Sequence, residues 1–420
     1  MRVALVTIGE PLPILDGARD RPLRAGYLAH VLADRGHDVT WWTSVFDHAR
    51  KRRIQTEHDS IDVRPGLRVR LMDGGGYQSN VSLARLRDHR RLAAAFSQLI
   101  RREPRPDVIL SSLPPVGLSH AAVEYGEEAG VPVVLDMRDM WPDIFADELP
   151  AALRGVGRMV LRPFFRQARE ACRRATAITG VSDAMLDWGL RRGGRTRSAL
   201  DCAFPPGYSI REPSADRQRE ADAFWRTWNI GENPAERIIC FFGNMGRVLD
   251  LDHVIECARM LKTRRVPARF VLCGTGERLD RYRRLAADAP NIVLPGWVDE
   301  AKIHALLKRS YAGINPLPDR YDFLAIINNK AIEYLSAGVP VISSPTTGAL
   351  AGMLADFGCG ATYDARNAGA LAQVIEFACA NPDAWSRKSA NAKASFIQHF
   401  TAEKVYARFG HHLETIAASA

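Results

Sequence analysis

The sequence predicts an α/β protein built from two doubly wound parallel-sheet units, one in each half of the chain. The chain has 420 residues, too many for one ordinary hydrophobic core, so two domains are expected. In both halves, apolar runs of strand length alternate with helix-length amphipathic segments. Strands that are apolar on both faces and separated by helices belong to parallel sheets covered on both sides. Between the halves the alternation stops in PPGYSIREPSADRQREADAFWRTWNIGENPAE, a stretch dense in proline, glycine and charge, as domain linkers are.

The elements follow in chain order. Residues 3–8 read as the first strand, and residues 23–33 as a helix that ends towards Gly36, where left-handed backbone is cheap. Residues 38–43, 107–111, 131–135 and 176–179 are further β-rich runs. After the linker, strands are expected at 237–242, 268–273, 291–294, 311–315 and 339–343, and helices at 251–262, 278–287, 300–308 and 329–337. The last stretch, 383–416, reads as helix. The domains are therefore placed at 1–205 and 237–382, with a linker at 206–236 and a helical segment at 383–420.

Hydrophobic residues make up 46% and charged residues 25% of the chain, the profile of a soluble globular protein. No apolar run reaches the length of a membrane span. The opening MRVALVTIG reads as a strand rather than a signal peptide. The 7 cysteines stand singly, without CxxC, as reduced core residues of a cytoplasmic protein do, and structural zinc is not expected. A net charge of +9 admits nucleic acid, an anionic membrane or an anionic small molecule as partner. Arginine is concentrated in residues 82–105 and 153–175. In the second stretch Val156, Val160, Leu161, Phe164 and Phe165 mix with Arg154, Arg158, Arg162, Arg166 and Arg169, a mixture that suits anionic headgroups. On these residues alone, a plain domain-surface helix is slightly the better reading. Nucleic acid is disfavoured, because the basic stretches lack interleaved surface aromatics and any reading motif.

In open parallel sheets, ligands sit at the carboxyl ends of the strands. After 237–242 comes Gly243-Asn244-Met245-Gly246-Arg247, two glycines that admit close backbone approach and an arginine within reach of an anion. After 268–273 comes Gly274-Thr275-Gly276-Glu277, a glycine turn expected to offer free N–H groups and a helix N-terminus. The dinucleotide pattern GxGxxG is not met. Pro295-Gly296-Trp297-Val298 and Pro316 follow the next two strands. Then NNKAIEYLSAGVPVISS opens a helix at Asn328-Asn329 and closes it at Gly338 and Pro340. Lys330 and Glu333, at i and i+3, share a face. An ammonium beside a helix N-terminus and Arg247 suits a pyrophosphate, and an ionised carboxylate suits a vicinal diol. Together these describe a nucleotide sugar. Taken alone, the pair is what any helix surface carries, worth about 0.2–0.5 kcal/mol.

KAIEYLSAGVPVISS, FFGNMGR, FVLCGTGE and NIVLPGWV, in this order, resemble the family 4 glycosyltransferases, retaining sugar-nucleotide-dependent enzymes of the GT-B fold. YLAHVLADRGHDVTWWTS, PDVILSSLPP, VPVVLDMRDMWPD and ITGVSDAM look like the subgroup that builds bacterial O-antigen and capsule polysaccharide, including N-acetyl-fucosamine-type transferases. The resemblance spans nearly the whole chain. It implies two Rossmann-like domains facing a cleft, an acceptor domain first and a donor domain second, with the C-terminal helical segment crossing back to the first. It places Glu333 on the donor ribose, Arg247 and Lys330 on the diphosphate, and Gly243, Asn244, Gly246, Gly274, Gly276 and Asn329 around them. Backbone groups at Trp297 and Val298 read the base, and Gly9 borders the phosphate from the first domain. Ser112, Arg138, Asp139 and Trp141 fall on the acceptor or sugar side.

Two positions depart from the family pattern. Ala325 stands where many members have a first glutamate, with Asp322 as a substitute. Ser111 and Ser112 stand where many have a histidine, and His120 lies too far along to replace it. In the long first loop, Arg21 or Arg24 is a candidate for phosphate contact. The implied reaction moves a hexosyl group, expected to be N-acetylamino-hexosyl, from a UDP-sugar to a polyprenyl-diphosphate-linked saccharide, with retention, without cofactor or metal, at the inner face of the cytoplasmic membrane. Charge on the leaving diphosphate is the main lever, and no carboxylate pair at glycosidase spacing is evident. The competing readings are a UDP-sugar epimerase of the same fold and a non-catalytic partner subunit that binds nucleotide or lipid.

Overall fold

The computed structural model describes residues 1–12, 22–56, 58–80 and 82–419. Arg21 lies outside them. The chain divides into two compact units, Met1–Pro205 with Ala402–Ala420, and Pro206–Thr401.

The first unit contains β1 (Arg2–Val6), α1 (Arg24–Asp34), β2 (Asp38–Ser44), a small hairpin β3 (Phe46–Asp47) and β4 (Arg52–Arg53), β5 (Ser60–Arg64), β6 (Leu67–Met72) and α2 (Leu83–Leu99). It continues with β7 (Val108–Leu113), α3 (Val116–Ala129), β8 (Val133–Met137), α4 (Asp143–Asp147), α5 (Arg154–Val160), α6 (Arg162–Arg174), β9 (Ala177–Gly180), α7 (Asp183–Gly193) and β10 (Cys202–Ala203). Its sheet runs β10-β9-β8-β7-β1-β2-β6-β5, parallel except for β5 against β6. The second unit contains α8 (Ala215–Thr227), β11 (Arg237–Phe242), α9 (Asp252–Thr263), β12 (Ala268–Cys273), α10 (Leu279–Leu285), β13 (Ile292–Gly296), α11 (Glu300–Leu307) and β14 (Ser310–Pro316). Then follow α12 (Tyr321–Leu324), α13 (Asn329–Ser336), β15 (Val341–Ser344), α14 (Ala349–Asp356), β16 (Gly360–Thr362), α15 (Ala368–Ala380) and α16 (Pro382–Ser395). Its sheet, β13-β12-β11-β14-β15-β16, is wholly parallel. The last helix, α17 (Ala402–Ala418), belongs to the first unit.

The period-2 alternation of strand side chains explains why these sequences are apolar throughout. Ile238, Cys240 and Phe242 enter one core with Ile332 and Leu335, while Ile239 and Phe241 enter the opposite core with Val254 and Leu371. In each sheet the strand order reverses at one point, between β1 and β7 in the first and between β11 and β14 in the second. Crevices open at the carboxyl ends of such strand pairs.

Two expected boundaries are corrected. Residues 206–236 are not a free linker. Helix α8 packs on the second unit with Trp225 fully buried, its indole N–H donating to the Lys302 carbonyl at 2.8 Å. The single helix expected at 383–416 is broken at Thr401. Its first part lies on the second unit, where the Lys393 ammonium donates to the Ser336 carbonyl at 2.6 Å. Its second part, α17, completes the first core through Val405, Phe409 and Leu413. Phe409 stacks on Phe204 with centroids 4.3 Å apart. The strand pair β5–β6 and the strand β16 were not expected.

Candidate functional site

Helix α13 begins at the switch point of the second sheet because Asn328 caps it. The Asn328 side chain accepts from the Ala331 N–H at 3.2 Å. It also exchanges two amide bonds with Asn315, at 3.0 and 3.1 Å, which ties the cap to β14. The second helical residue is Lys330. Its Nζ is buried without a hydrogen-bond partner and lies 3.9 Å from the centre of the Phe241 ring. A Cβ on Gly243 would come within 2.9 Å of that ammonium, so glycine there leaves its room. Burial pulls the Lys330 pKa down to about 7, with Glu333 opposing the fall. The ring face stabilises the cation but does not replace a counter-ion. One turn on, the half-buried Glu333 accepts from the Tyr208 hydroxyl at 3.1 Å. Asn329, between cap and lysine, is exposed.

The glycine loops are joined to one another by backbone hydrogen bonds. The Gly243 N–H donates to the Cys273 carbonyl at 3.1 Å, Gly274 to Gly296 at 2.8 Å, and Met245 to Thr275 at 2.8 Å. A Cβ on Gly274 would lie 1.9 Å from the Gly243 oxygen, and one on Gly276 2.5 Å from the Met245 oxygen. The N–H of Gly274, in the turn expected to offer free donors, is therefore engaged, and Gly274 and Gly276 are glycine because one loop rides on the other. Gly246 and the exposed Asn244 stand on the outer turn. Arg247 is 80% exposed and pairs with Glu277 at 3.0 Å, a surface contact that competes weakly with any anion. Trp297 is 69% exposed beside the buried Val298. Asp322, offered as a substitute for a glutamate at Ala325, is instead buried in a bidentate pair with Arg320 at 2.6 and 2.7 Å.

In the first unit several expected ligand contacts are turned inward. The Ser112 hydroxyl is buried against Thr7 at 2.6 Å. Arg24 holds Asp136 at 2.7 and 2.8 Å and the Phe204 carbonyl at 2.7 Å. Arg138 bonds the same aspartate at 2.9 Å and also Glu10. The two guanidinium groups outweigh the desolvation of Asp136 and hold its carboxyl far below the usual range. Neither arginine is a free cation for a phosphate. Glu10 also fills the N-terminus of α1, accepting from the Ala25 N–H at 2.9 Å, so the anion position there is taken by the chain itself. Asp139 is half-buried, accepting from the Met140 N–H at 3.0 Å.

Gly9, in left-handed backbone at φ 80°, rims a cavity of about 140 Å³ at the switch point of the first sheet, among Ser44, His48, Tyr77, Arg85, Asp88 and His89. Burial and the cations Lys51 and Arg85 push the His48 pKa down to about 4, and burial pushes His89 down to about 3. Both imidazoles are neutral at physiological pH. His48 Nδ1 and the Tyr77 hydroxyl share a 2.5 Å hydrogen bond. Arg85 lies over Trp141, 4.6 Å from its ring centre. Of the residues expected on the acceptor side, Trp141 joins this cluster. His48, Tyr77, Arg85 and His89 were missed. One signal was available: Leu92 and Phe96, at i+3 and i+7 from His89, mark the buried face of α2.

Residues 227–395 match the family model described as "Glycosyl transferases group 1", and residues 23–200 match the "Glycosyl transferase 4-like domain". No curated protein sequence matches the chain. Among solved structures, sucrose-phosphate synthase from Thermosynechococcus elongatus is similar over 100% of both chains, with 16% identity and a TM-score of 0.73. Anabaena HepE in complex with UDP is similar over 99% of this chain and 100% of its own, with 14% identity and a TM-score of 0.67. WaaG, a glycosyltransferase involved in lipopolysaccharide biosynthesis, is similar over 98% and 99%, with 15% identity and a TM-score of 0.63. Two glycosyltransferase models thus divide most of the sequence between them, and the chain is a GT-B fold glycosyltransferase related to the members of those families.

Proposed function

We propose that this glycosyltransferase takes its sugar from a UDP-sugar and moves a hexosyl group, of N-acetylamino-hexosyl type, to a lipid-linked saccharide with retention at the anomeric carbon. The observation that carries the donor half is the Lys330 ammonium, buried without a partner beside Gly243 and next to the N-terminus of α13. A buried ammonium without a hydrogen-bond partner is costly, and the diphosphate of a nucleotide sugar supplies acceptors of opposite charge. HepE, of the same fold, is known in complex with UDP. Glu333, held by Tyr208, accepts from the ribose hydroxyls. Arg247 exchanges Glu277 for the diphosphate, and the backbone at Trp297 and Val298 meets the base. As the glycosidic bond breaks, charge grows on the leaving diphosphate, and Lys330 and Arg247 stabilise it there.

The acceptor half of the reading rests on the surface of the first unit. Helix α5 buries none of its residues. Leu153, Val156, Met159 and Val160 are 53 to 70% exposed there, flanked by Arg154, Arg158 and Arg162, a composition suited to an anionic bilayer. Among the described residues no helix is long and apolar enough to cross a membrane.

The test is a melting series with UMP, UDP and a panel of UDP-sugars, on the wild type and on Lys330→Met. UDP is expected to stabilise the wild type more than UMP does, and the variant to lose that difference. Equal responses of the two proteins would remove the reading. With a turned-over donor, the anomeric configuration of the product, read by NMR, tests retention.

A further inference from the structure

A second cavity in the first unit, of about 520 Å³, runs between α2, α3 and α6. Its walls are mainly small or apolar, among them Ala93, Ala94, Gly117, Ala121, Trp141 and Phe164. His89 lines both this groove and the polar cavity at the sheet edge that holds Arg85. The His89 ring is 4% exposed and its Nε2 has no hydrogen-bond partner, so a buried polar atom stands where the two spaces meet. The outer wall, Pro163 and Phe164, belongs to α6, and α6 continues through Leu161 from the exposed apolar helix α5. A polar chamber, lined by Arg85, Asp88 and two imidazoles, shares His89 with an apolar groove, which in turn adjoins a basic and apolar surface. The ligand with that order of chemistry is an amphiphile carrying a phosphorylated head and a long hydrocarbon chain.

We propose that the groove between α2, α3 and α6 holds the first part of the hydrocarbon chain of the lipid-linked acceptor, with its head group in the chamber of Arg85 and His89. This rests on the acceptor reading above. Each methylene buried in such a groove adds favourable transfer free energy, so a chain-bearing diphosphate binds much more tightly than the bare anion. A Cβ on Gly117 meets only Ala93 Cβ at 3.7 Å and Gln167 Oε1 at 4.0 Å. Gly117→Ala therefore fits, whereas Gly117→Leu extends into the groove.

The experiment measures binding of geranylgeranyl diphosphate, below its micelle concentration, and of inorganic pyrophosphate, by calorimetry on wild type, Gly117→Ala and Gly117→Leu. Wild type and Gly117→Ala are expected to prefer the prenylated compound by roughly tenfold or more, and Gly117→Leu to lose that preference while keeping its circular dichroism and melting transition. The groove assignment is overturned by equal affinity of wild type for the two compounds, or by an undiminished preference in a folded Gly117→Leu. A change of sedimentation in Gly117→Leu without a change in binding also overturns it, by assigning the groove to a second copy of the chain. UDP stabilisation, read on the same samples, keeps the donor reading separate. If UDP stabilises and the chain confers no advantage, only the groove proposal fails.

Discussion

Lys330 makes the donor reading testable through protons. Its pKa falls from 10.5 to about 7 in the folded chain, so between those values the unfolded chain binds more protons. The buried charge therefore penalises folding below about pH 7, and stability is expected to rise as pH climbs through the window. Lys330→Met should flatten that rise, which melting temperatures at fixed ionic strength will report. Ligand binding has the opposite sign. A diphosphate raises the lysine pKa, so UDP affinity should be full below about pH 7 and fall above it, by up to about tenfold per unit. A pH-independent affinity in the wild type would remove Lys330 from the phosphate site. Glu333→Gln separates ribose from phosphate. UDP affinity should drop about tenfold, a larger loss than inorganic pyrophosphate, which has no diol, shows in calorimetry.

At the scale of elements, the pairing of loops is the strongest constraint. Gly274 has φ 148° and no room for a Cβ beside the Gly243 oxygen. Gly274→Ala should therefore lower the stability of the second unit by about 2–4 kcal/mol, measured by denaturant unfolding. The GTG spacing was legible as a turn, but its purpose was not. Which N–H groups a turn leaves free depends on the strand lying beside it, and β13 lies more than fifteen residues further along the chain. Helix α13 was readable almost to the residue, because the Asn cap, the apolar stripe and the Gly-Val-Pro stop are all local signals. Helix α2 shows the reverse. Its density of arginine is plain in the sequence, but that His89 joins Leu92 and Phe96 on the buried face is not.

At the scale of the molecule, the first unit is not continuous in sequence, since it is closed by α17. Phe409→Ala removes a fully buried ring stacked on Phe204 and should cost the first unit about 3–5 kcal/mol. Calorimetry should show its transition lowered while that of the second unit stays in place. Docking of α5 to anionic lipid predicts sedimentation of the protein with phosphatidylglycerol vesicles at low salt, and release as salt screens the arginines. Vesicles left without protein at low salt would remove the membrane from the reading. The sequence by itself determined the two-unit α/β architecture, most strand cores and the α13 edge, because periodicity, caps and glycine turns act within a few residues. Only the tertiary structure decided which charges are free. Arg24 and Arg138 look like ligand contacts in sequence, but distant carboxylates hold them, Asp136 for the first and Glu10 for the second, while Asp322 is taken by Arg320 two residues before it. Among the described residues, Lys330 is the ammonium left buried without a hydrogen-bond partner, and Coulomb energy depends on distances that chain position does not encode.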